Sequence, residues 1–466
     1  MKSISRKFLS LFIISIILLT SIVACSQQEA TSETESDVAE TGDDEESESV
    51  ESDPHRKFEG TTLRLLFKEG YDVEVIFAHK DEFEAATGIK LEIEQYDEPT
   101  TRQKFILNET ARAGAYDIVP VSFWYFPEYE QQGWLEPLDS YIENMKDPEW
   151  YGLDNLPQSA LDVFSKDGVR YGLPQTVISA MFMYRKDILE ECNIEPPETT
   201  EDLIGIAPEV QECKPEMAAF TGRGAPTFAS LGTYLGWAYG YGALLFDEEM
   251  RPQATSPEMV KAMEDLVGLY REYGVEDQAT LTFLTMGDRA MADQVVMFYD
   301  TSGWGSIIEN PDSSQTAGKW GYSLLKGPAD EYLQWLYMEA LAIPSDSQNK
   351  EAAWLFLQWR TSLDIMMKEM QDGRTDTPNL VVQASDEFQS KIEELGPSTV
   401  EYSNLLPESW NMATNEHWPS VKEFAEIGDI FAQEMSEAIV GNKDVITALE
   451  AIQSRLDELM QEAGYY

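Results

Sequence analysis

Aromatic residues stand beside hydrogen-bonding residues at several places in the sequence. Trp124 and Tyr125 follow one apolar segment, and Asp300 and Trp304 follow another. Arg223 lies in a Thr-Gly-Arg-Gly turn, between small residues that leave room for a ligand. Aromatic rings stack on the apolar C–H faces of carbohydrates, and buried hydroxyls need donors and acceptors in fixed places. These residue types together predict the binding of a small, hydroxyl-rich molecule.

Two further tryptophans are candidates, and several candidates have a second interpretation. Trp237 lies in the Gly-rich stretch GWAYGYG, and Trp410 lies in PESWNMATNEHW. A tryptophan such as Trp237 can equally pack in a core. Asp300 can equally cap a helix, and Arg223 can form a surface salt bridge.

The first folded segments alternate between strand and helix patterns. Apolar or alternating runs predict strands over Thr61–Phe67, Ile89–Tyr96 and Tyr116–Ser122, with helices ending at Gly88 and Gly114 between them. This order predicts a parallel sheet with helices on both faces, an α/β fold. Ligands bind beyond the carboxyl ends of such strands, where this chain has the segments after Phe67, Tyr96 and Ser122.

Two later segments have the apolar spacing of helices. KEAAWLFLQWRTSLDIMMKEMQDG has an apolar residue every three or four positions and predicts one core-facing helix that ends at Gly373. VITALEAIQSRLDELM predicts another amphipathic helix near the end of the chain.

The chain begins with an export signal. Residues 1–24 have a basic start and an uncharged apolar run, which is the layout of a signal peptide. The segment Ile22-Val23-Ala24-Cys25 resembles a bacterial lipobox, which implies that Cys25 becomes the N-terminus and carries a lipid such as palmitate. Ordinary signal cleavage nearby is the alternative. Residues 26–54 contain no Lys, Arg or aromatic residue, so we expect residues 25–57 to form a disordered acidic tether.

Composition excludes several partners. The chain has 85 Asp and Glu against 33 Lys and Arg, for a net charge of −52, which makes nucleic acid and anionic lipid headgroups poor partners. Its 43% hydrophobic and 11% aromatic content is enough to build two ordinary domains.

The remaining cysteines suggest a disulfide but no metal site. Cys192 and Cys213 are left as a pair in an exported protein, either joined or as free thiols. The few Cys and His residues have no metal-ligand spacing, and the chain has none of the Gly-x-Ser-x-Gly, His-Glu-x-x-His or P-loop motifs. We therefore expect neither a metal, nor a cofactor, nor enzymatic activity.

Four segments, in order, resemble one family: the solute-binding proteins of ABC importers, family 1, the maltose-binding-like group. They are YDIVPVSFWYFPEYEQQGWLEPLDSYI, YGLPQTVISAMFMYRKDILEECNIEPPETTEDL, MGDRAMADQVVMFYDTSGWG and EALAIPSDSQNKEAAWLFLQWRTS. Within the family, the stretch from FTGRGAP and the stretch MFYDTSGWG look most similar to polyol-binding and sugar-binding members.

The resemblance implies a periplasmic-binding-protein-like fold of two lobes, each a sheet flanked by helices. One lobe would comprise residues 58–174 plus 340–395, and the other residues 176–338 plus 400–466, joined by hinge crossings near Gln175 and Glu339. The ligand-binding residues implied are Trp124, Tyr125, Gln175, Arg223, Trp237, Asp300, Trp304, Glu339, Arg374 and Trp410. Arg374 could instead face the last carbonyls of the preceding helix.

The function implied is that of an extracytoplasmic, lipid-anchored monomer. It would capture a sugar or polyol by hinge closure and deliver it to the transmembrane subunits of an ABC permease. Three alternatives remain open. A tethered glycosidase would alter the sugar, a surface adhesin would bind only polymer, and a binding protein for another solute would take a peptide or polyamine.

Overall fold

The structure, a computed structural model, describes residues 53–412 and 418–466. The strands are β1 (Thr62–Lys68), β2 (Lys90–Tyr96), β3 (Val119–Ser122), β4 (Ser165–Lys166), β5 (Val169–Arg170), β6 (Leu173–Arg185), β7 (Ala218–Thr221), β8 (Val295–Thr301), β9 (Trp320–Ser323) and β10 (Leu336–Ala342). The α-helices are α1 (Tyr71–Thr87), α2 (Glu98–Ala111), α3 (Phe126–Gln131), α4 (Asp139–Asn144), α5 (Gln158–Val163), α6 (Lys186–Cys192), α7 (Thr200–Cys213), α8 (Leu231–Gly240), α9 (Pro257–Tyr273), α10 (Phe283–Met291), α11 (Gly303–Ile308), α12 (Lys350–Arg360), α13 (Leu363–Gln371), α14 (Leu380–Gln383), α15 (Asp386–Leu395), α16 (Pro397–Met412), α17 (Phe424–Val440) and α18 (Val445–Ala463). Helices flank the sheets, so the predicted α/β class is confirmed.

The first strands form a small parallel sheet. Strand β1 pairs in parallel with β2, and helix α1 connects them and ends at Gly88, which has a φ of 70°. The predicted third parallel strand is only partly present. Leu65 of β1 forms a parallel bridge to Ile118, but β3 then pairs antiparallel with β10, which provides a partner on its other side.

The larger sheet is mixed and has the strand order β3-β10-β6-β8-β7. The pairs β3/β10, β10/β6 and β6/β8 are antiparallel, whereas β7 and β8 are parallel. Strand β9 also pairs with β6. The long strand β6 therefore lies at the centre of the molecule and contacts partners from distant parts of the sequence.

Two hydrophobic cores fill the described part of the molecule. The first core includes Leu65, Ile76, Phe83, Phe356 and Met366. The second includes Phe220, Leu266, Phe298, Phe431 and Ile452. Each core joins strands to the helices that cover them. The second core also includes Leu66, Phe105 and Phe164, so it extends into the part of the chain predicted as the first lobe.

Strands β6 and β10 pass from one core to the other. Strand β6 contributes Leu173 to the first core and Val177 to the second, so Gln175 lies between them. In β10, Met338, Ala340 and Ala342 belong to the second core and Leu341 belongs to the first, so Glu339 lies where this strand contacts both cores. The β6/β10 register shifts immediately after Glu339, so the two strands are irregular at the place where they cross.

The helix predicted over residues 350–373 is two helices. Helix α12 ends at Arg360 and α13 begins at Leu363, because the Ser362 hydroxyl accepts a hydrogen bond from the backbone N–H of Ile365 and caps a new helix. Helix α13 ends before Gly373, which has a φ of 111°. The amphipathic helix predicted near the end of the chain is confirmed as α18.

The predicted signal peptide, Cys25 and most of the tether of residues 25–57 lie outside the described residues. The end of that tether is folded: Pro54–Phe58 form a 3-10 helix. The His55 ring stacks on Trp150 with centroids 3.9 Å apart, and His55 Nε2 lies 2.9 Å from Asp147 Oδ2. Because of these contacts, the folded part of the chain begins before residue 58, the start that the sequence predicts. In the ranges that the structure describes, no helix has the length and apolar character required to span a bilayer.

Cys192 and Cys213 are joined in a disulfide, with their Cα atoms 6.1 Å apart. The bond links the ends of helices α6 and α7.

Candidate functional site

A cluster of polar side chains lies where the strands cross between the lobes. We call Lys68, Gln175, Tyr337 and Glu339 the crossing cluster. Lys68 Nζ lies 2.6 Å from Glu339 Oε2, and the Tyr337 hydroxyl donates to the same oxygen at 3.0 Å. Gln175 Nε2 donates to Glu339 Oε1 at 3.2 Å. The Ser122 hydroxyl of β3 also donates to Oε2, at 3.4 Å, so four groups from β1, β3, β6 and β10 hold the carboxylate.

The charges in the crossing cluster balance each other. Glu339 is 1% exposed, and burial alone would lower the pKa of the Lys68 ammonium, but the nearby carboxylate outweighs this effect and raises it. Lys68 therefore stays charged beside Glu339. Gln175 Oε1 is buried and has no hydrogen-bond partner among the residues that the structure describes, so the cluster offers an acceptor there.

A second ion pair lies in the second lobe. Arg223, in the loop after β7, donates from Nε to Asp300 Oδ2 at 2.8 Å and from Nη2 to Oδ1 at 2.6 Å. Its Nη1 donates to the carbonyl of Ala229 at 2.9 Å. Both side chains of the pair are buried. Asp300 therefore does not cap a helix, and Arg223 is not part of a surface salt bridge.

Aromatic rings connect the two charged groups. We call Trp124, Trp335 and Trp418 the aromatic wall. The Trp335 ring lies 5.3 Å from Arg223 Cζ and 6.0 Å from the Trp418 ring. Trp418 lies 6.5 Å from Trp124, whose ring is 4.8 Å from Tyr337 of the crossing cluster. The wall therefore runs from one charged group to the other.

Small residues allow helix α8 to approach the aromatic wall. A Cβ atom on Gly236 would lie 2.6 Å from Trp335 Cδ1 and 2.7 Å from the Tyr299 hydroxyl. One on Gly232 would lie 2.9 Å from Trp335 Cζ3. Glycine at both positions is thus required for Trp335 to lie against α8.

Several buried polar atoms around the wall have no partner within the described protein. They are the indole Nε1 atoms of Trp124 and Trp335, both amide atoms of Gln334 and the hydroxyl of Tyr299. An unpaired buried polar group costs ~1–3 kcal/mol, so hydroxyls of a bound molecule would stabilise these atoms. Within residues 53–412 and 418–466, no group of three or more His, Cys, Asp or Glu is arranged to hold a metal ion.

Two predicted site residues pack in the core. Trp237 is fully buried in α8, with its ring centroid 6.0 Å from those of Phe220 and Tyr299. Trp304 lies in α11, where its ring is 4.4 Å from Phe283. Their Nε1 atoms are also buried and without a hydrogen-bond partner among the described residues, but neither ring belongs to the aromatic wall.

Tyr125 lies on the first-lobe side of the crossing cluster. Its ring lies under the guanidinium of Arg102, 4.9 Å from Cζ, and 6.0 Å from Tyr129. It lines a small pocket together with Lys68 and Glu339. Tyr125 therefore adjoins the cluster without bonding to it.

Arg374 contacts side chains rather than helix carbonyls. Its Nη1 donates to Asp72 Oδ1 at 3.0 Å, its Nε to Asp376 Oδ1 at 3.1 Å and its Nη2 to Thr176 Oγ1 at 3.2 Å. Arg374 thus connects the first lobe to strand β6 directly beside the crossing.

Trp410 lies on helix α16, in the second core. Its neighbour Ser409 lies within hydrogen-bond distance of Ser179 of β6, with 2.6 Å between the hydroxyl oxygens. The described contacts do not bring Trp410 to the aromatic wall.

Four residues of the site were not among the predicted ligand-binding residues. Lys68, at the carboxyl end of β1, begins the first of the strand-end segments where the sequence predicts ligands to bind. Tyr337 precedes Glu339 by two positions and therefore shares its face of the strand. Nothing in the local sequence identifies Trp335 and Trp418, because only the folded chain brings them together.

A family model described as "Bacterial extracellular solute-binding protein" matches residues 63–366. A mannitol-binding protein of Pseudomonas aeruginosa is 26% identical over 384 residues, which cover 79% of this chain and 86% of the relative. A probable amino-acid ABC transporter periplasmic-binding protein of Sinorhizobium fredii is 22% identical over 425 residues, covering 88% and 92%. A solved ABC transporter solute-binding protein from Agrobacterium vitis, with bound D-mannitol, has a TM-score of 0.78 and 25% identity, covering 87% of this chain and 99% of that one.

Proposed function

The chain belongs to the bacterial extracellular solute-binding proteins, and from this premise we propose that it captures a sugar or polyol between its lobes. It is a binding protein and not an enzyme, as its relatives are. One observation carries the choice of solute: the candidate site combines an aromatic wall, buried hydrogen-bonding atoms without partners, and two ion pairs whose charges cancel.

The charge balance favours an uncharged solute. Lys68 is paired with Glu339 and Arg223 with Asp300, so neither pair leaves a buried charge for an ammonium or a carboxylate. Burying an unpaired ion is costly. A free amino acid or a polyamine would bring such ions, whereas a polyol brings only hydroxyls. The relatives named for mannitol agree with this argument, and the relative named for amino acids does not.

The crossing strands suggest how capture occurs. Gln175 and Glu339 lie where β6 and β10 pass between the cores, and a solute that contacts both lobes would bind the closed form more tightly than the open form. This difference in affinity drives closure around the hinge. The closed monomer would then deliver the solute to the transmembrane subunits of an ABC permease.

Attachment to the membrane is the second part of the proposal. The lipobox-like segment that ends at Cys25 supports lipidation of that residue after export. A single acyl chain binds a protein to a membrane only weakly, so stable attachment requires more than one acyl group. Cys25→Ser should move the protein from the detergent phase to the aqueous phase of a Triton X-114 extraction, whereas Cys192→Ser should not. Retention of Cys25→Ser in the detergent phase would overturn the lipid anchor.

The solute is tested by thermal unfolding of the full chain in detergent with separate hexitols, pentitols, mono- and disaccharides, amino acids and a polyamine. A solute at 100 times its Kd should add ~2.7 kcal/mol to the free energy of unfolding. We expect stabilisation by one polyol or sugar class, with the compound recovered unaltered. Stabilisation only by amino acids or polyamine, or no stabilisation by any carbohydrate, would overturn the proposal.

A further inference from the structure

A short turn holds the chain against the folded part just before strand β1. We call this 3-10 helix, Pro54–Phe58, the strap. Asp53 caps it, because its Oδ1 accepts a hydrogen bond from the backbone N–H of His55 at 3.0 Å. The backbone N–H of Arg56 donates to the Asp53 carbonyl, and that of Glu59 donates to the Arg56 carbonyl, both at 3.0 Å. The backbone is therefore folded on both sides of Arg56.

The ring of His55 connects the strap to the loop after α4. It stacks on Trp150 at an interplanar angle of 5°, and its Nε2 lies 2.9 Å from Asp147 Oδ2. Asp147 is 8% exposed, and its Oδ1 accepts hydrogen bonds from the backbone N–H groups of Glu149 and Trp150, both at 2.9 Å. The loop itself thus holds the carboxylate in place, and it offers His55 a fixed partner beside a flat aromatic surface.

Three further contacts connect the strap to other elements. Arg56 Nη1 donates to the carbonyl of Ala85 in α1 at 3.2 Å. Lys57 Nζ lies 2.9 Å from Glu351 Oε2 in α12, and Phe58 packs against the first core. The Lys57 pair is exposed and therefore contributes little. The rings of the strap, at its second and last positions, are its main attachments.

The position of the strap in the sequence gives these contacts a consequence. Arg56 and Lys57 are the only Lys or Arg residues between Lys7 and Arg64. A protease that cleaves after basic residues can therefore cut this stretch only within the strap, and either cut would separate the folded part from Cys25. Both side chains are exposed, so the folded backbone is what protects the two peptide bonds. Susceptibility to such cuts depends on whether the backbone is hydrogen-bonded or free.

We propose that the strap is a protective clasp: docked on the loop after α4, it shields the peptide bonds that follow Arg56 and Lys57 and so keeps the folded part attached to its N-terminal tether. Release of His55 opens the strap to an extracellular protease specific for basic residues. The cut is a hydrolysis, in which water adds across the bond and leaves a carboxyl group on Arg56 or Lys57 and an amino group on the next residue. Only the last consequence, release from the membrane, rests on the proposed lipid at Cys25.

The test measures how fast trypsin cuts the strap of the full chain in detergent. A synthetic peptide of residues 50–62 contains the same two bonds without the folded part, so it corrects for the effect of the acidic neighbours on trypsin. Mass spectrometry quantifies the fragments that begin at Lys57 or Phe58. We expect cleavage about a hundredfold slower in the protein than in the peptide, because the strap must open before trypsin can bind it. Equal rates would overturn the clasp.

Two variants open the strap to different extents. His55→Ala removes the stacked ring and the contact with Asp147, and should accelerate cleavage in the strap about tenfold. His55→Phe retains a stacking ring but brings no polar atom to the carboxylate, so its rate should lie between those of the wild type and His55→Ala. His79→Ala is the matched control: the His79 side chain is 13% exposed against 12% for His55, and its nitrogens lie 3.2 Å from Glu82 and Asp372 instead. It should leave the rate unchanged.

The outcomes separate the clasp from the lipid anchor. Acceleration confined to the strap supports the clasp. Unchanged rates in both His55 variants, or equal acceleration at every tryptic site of the chain, would overturn it and leave the anchor unaffected. In a Triton X-114 extraction, the cut protein should move from the detergent phase to the aqueous phase. If the uncut protein is already in the aqueous phase while its strap resists trypsin, the anchor is wrong and the clasp stands.

Discussion

The Arg223 guanidinium and the Asp300 carboxylate face each other with two parallel hydrogen bonds, at 2.8 and 2.6 Å. Asp300 is 0% exposed and Arg223 5% exposed, and the guanidinium lies against the ring of Trp335. The two hydrogen bonds fix the orientation of the guanidinium plane. They also connect the loop after β7 to strand β8 on one side of the candidate site.

Asp300→Asn should destabilise the protein and weaken solute binding. The substitution leaves the Arg223 charge buried without its partner, which costs ~3–5 kcal/mol of the free energy of unfolding. Urea unfolding measures this loss. Asp277→Asn is the matched control because its pair with Arg289 is partly exposed, and its loss should stay below ~1 kcal/mol. Equal losses in the two variants would contradict the structural role of the buried pair.

Gly236→Ala should disturb the aromatic wall. The new Cβ would lie 2.6 Å from Trp335 Cδ1, so the indole or helix α8 must move, at a cost of ~1–3 kcal/mol. We expect a lower melting temperature and a weaker affinity for the solute. Gly205→Ala, in α7, is the control: nothing lies within 4 Å of its Cβ, and the change should stabilise the helix by ~0.5–1 kcal/mol. Full solute affinity in Gly236→Ala would exclude Trp335 from the site.

The contribution of Glu109 to the free energy of unfolding should fall as the pH rises from about 4.5 to 8. Burial, and next the neighbouring Asp346, raise the pKa of Glu109 to about 8, from 4.5. Between these values the folded state retains a proton that the unfolded state has lost, so raising the pH favours unfolding.

Glu109→Gln removes this proton. The difference in the free energy of unfolding between the variant and the wild type should shift in favour of the variant as the pH approaches 8. Urea unfolding at a series of pH values measures it, and the subtraction cancels the titration of other groups. Two parallel pH profiles would show that Glu109 does not retain its proton.

Removal of the Cys192–Cys213 disulfide should lower the free energy of unfolding by ~3 kcal/mol, since the bond closes a loop with a sequence separation of 21. Solute affinity should not change, because α6 and α7 contribute no residue to the candidate site. A reductant should therefore lower the melting temperature of the wild type and leave the Cys192→Ser/Cys213→Ser double variant unaffected. No response of the wild type would mean that the thiols are free.

Local patterns were enough for many individual elements. The apolar runs of β1 and β2 and the left-handed Gly88 after α1 set those elements in positions close to the predicted ones. The one predicted helix over residues 350–373 was wrong because apolar spacing continues through both α12 and α13. The spacing of apolar residues gives no indication that the Ser362 side chain can cap a new helix.

The sequence predicted the residue types of the binding site more accurately than the individual residues that form it. Arg223 and Asp300 were both predicted, but their pairing is a contact between β8 and a loop far from it in the sequence. Trp237 and Trp304 were predicted because tryptophans in glycine-rich surroundings suit a sugar site. In the structure both rings are buried, against Phe220 and Phe283 respectively.

The sequence by itself determined many of the elements, the α/β class and the aromatic and polar residue types suited to hydroxyl groups, because these depend on local periodicity and on side-chain chemistry. The two lobes were implied only by the resemblance to a family. Only the tertiary structure decided which tryptophans form the wall and that Lys68 neutralises Glu339. Those features depend on close packing between distant segments, and the alternation of residues along one segment contains no information about the segment it will meet.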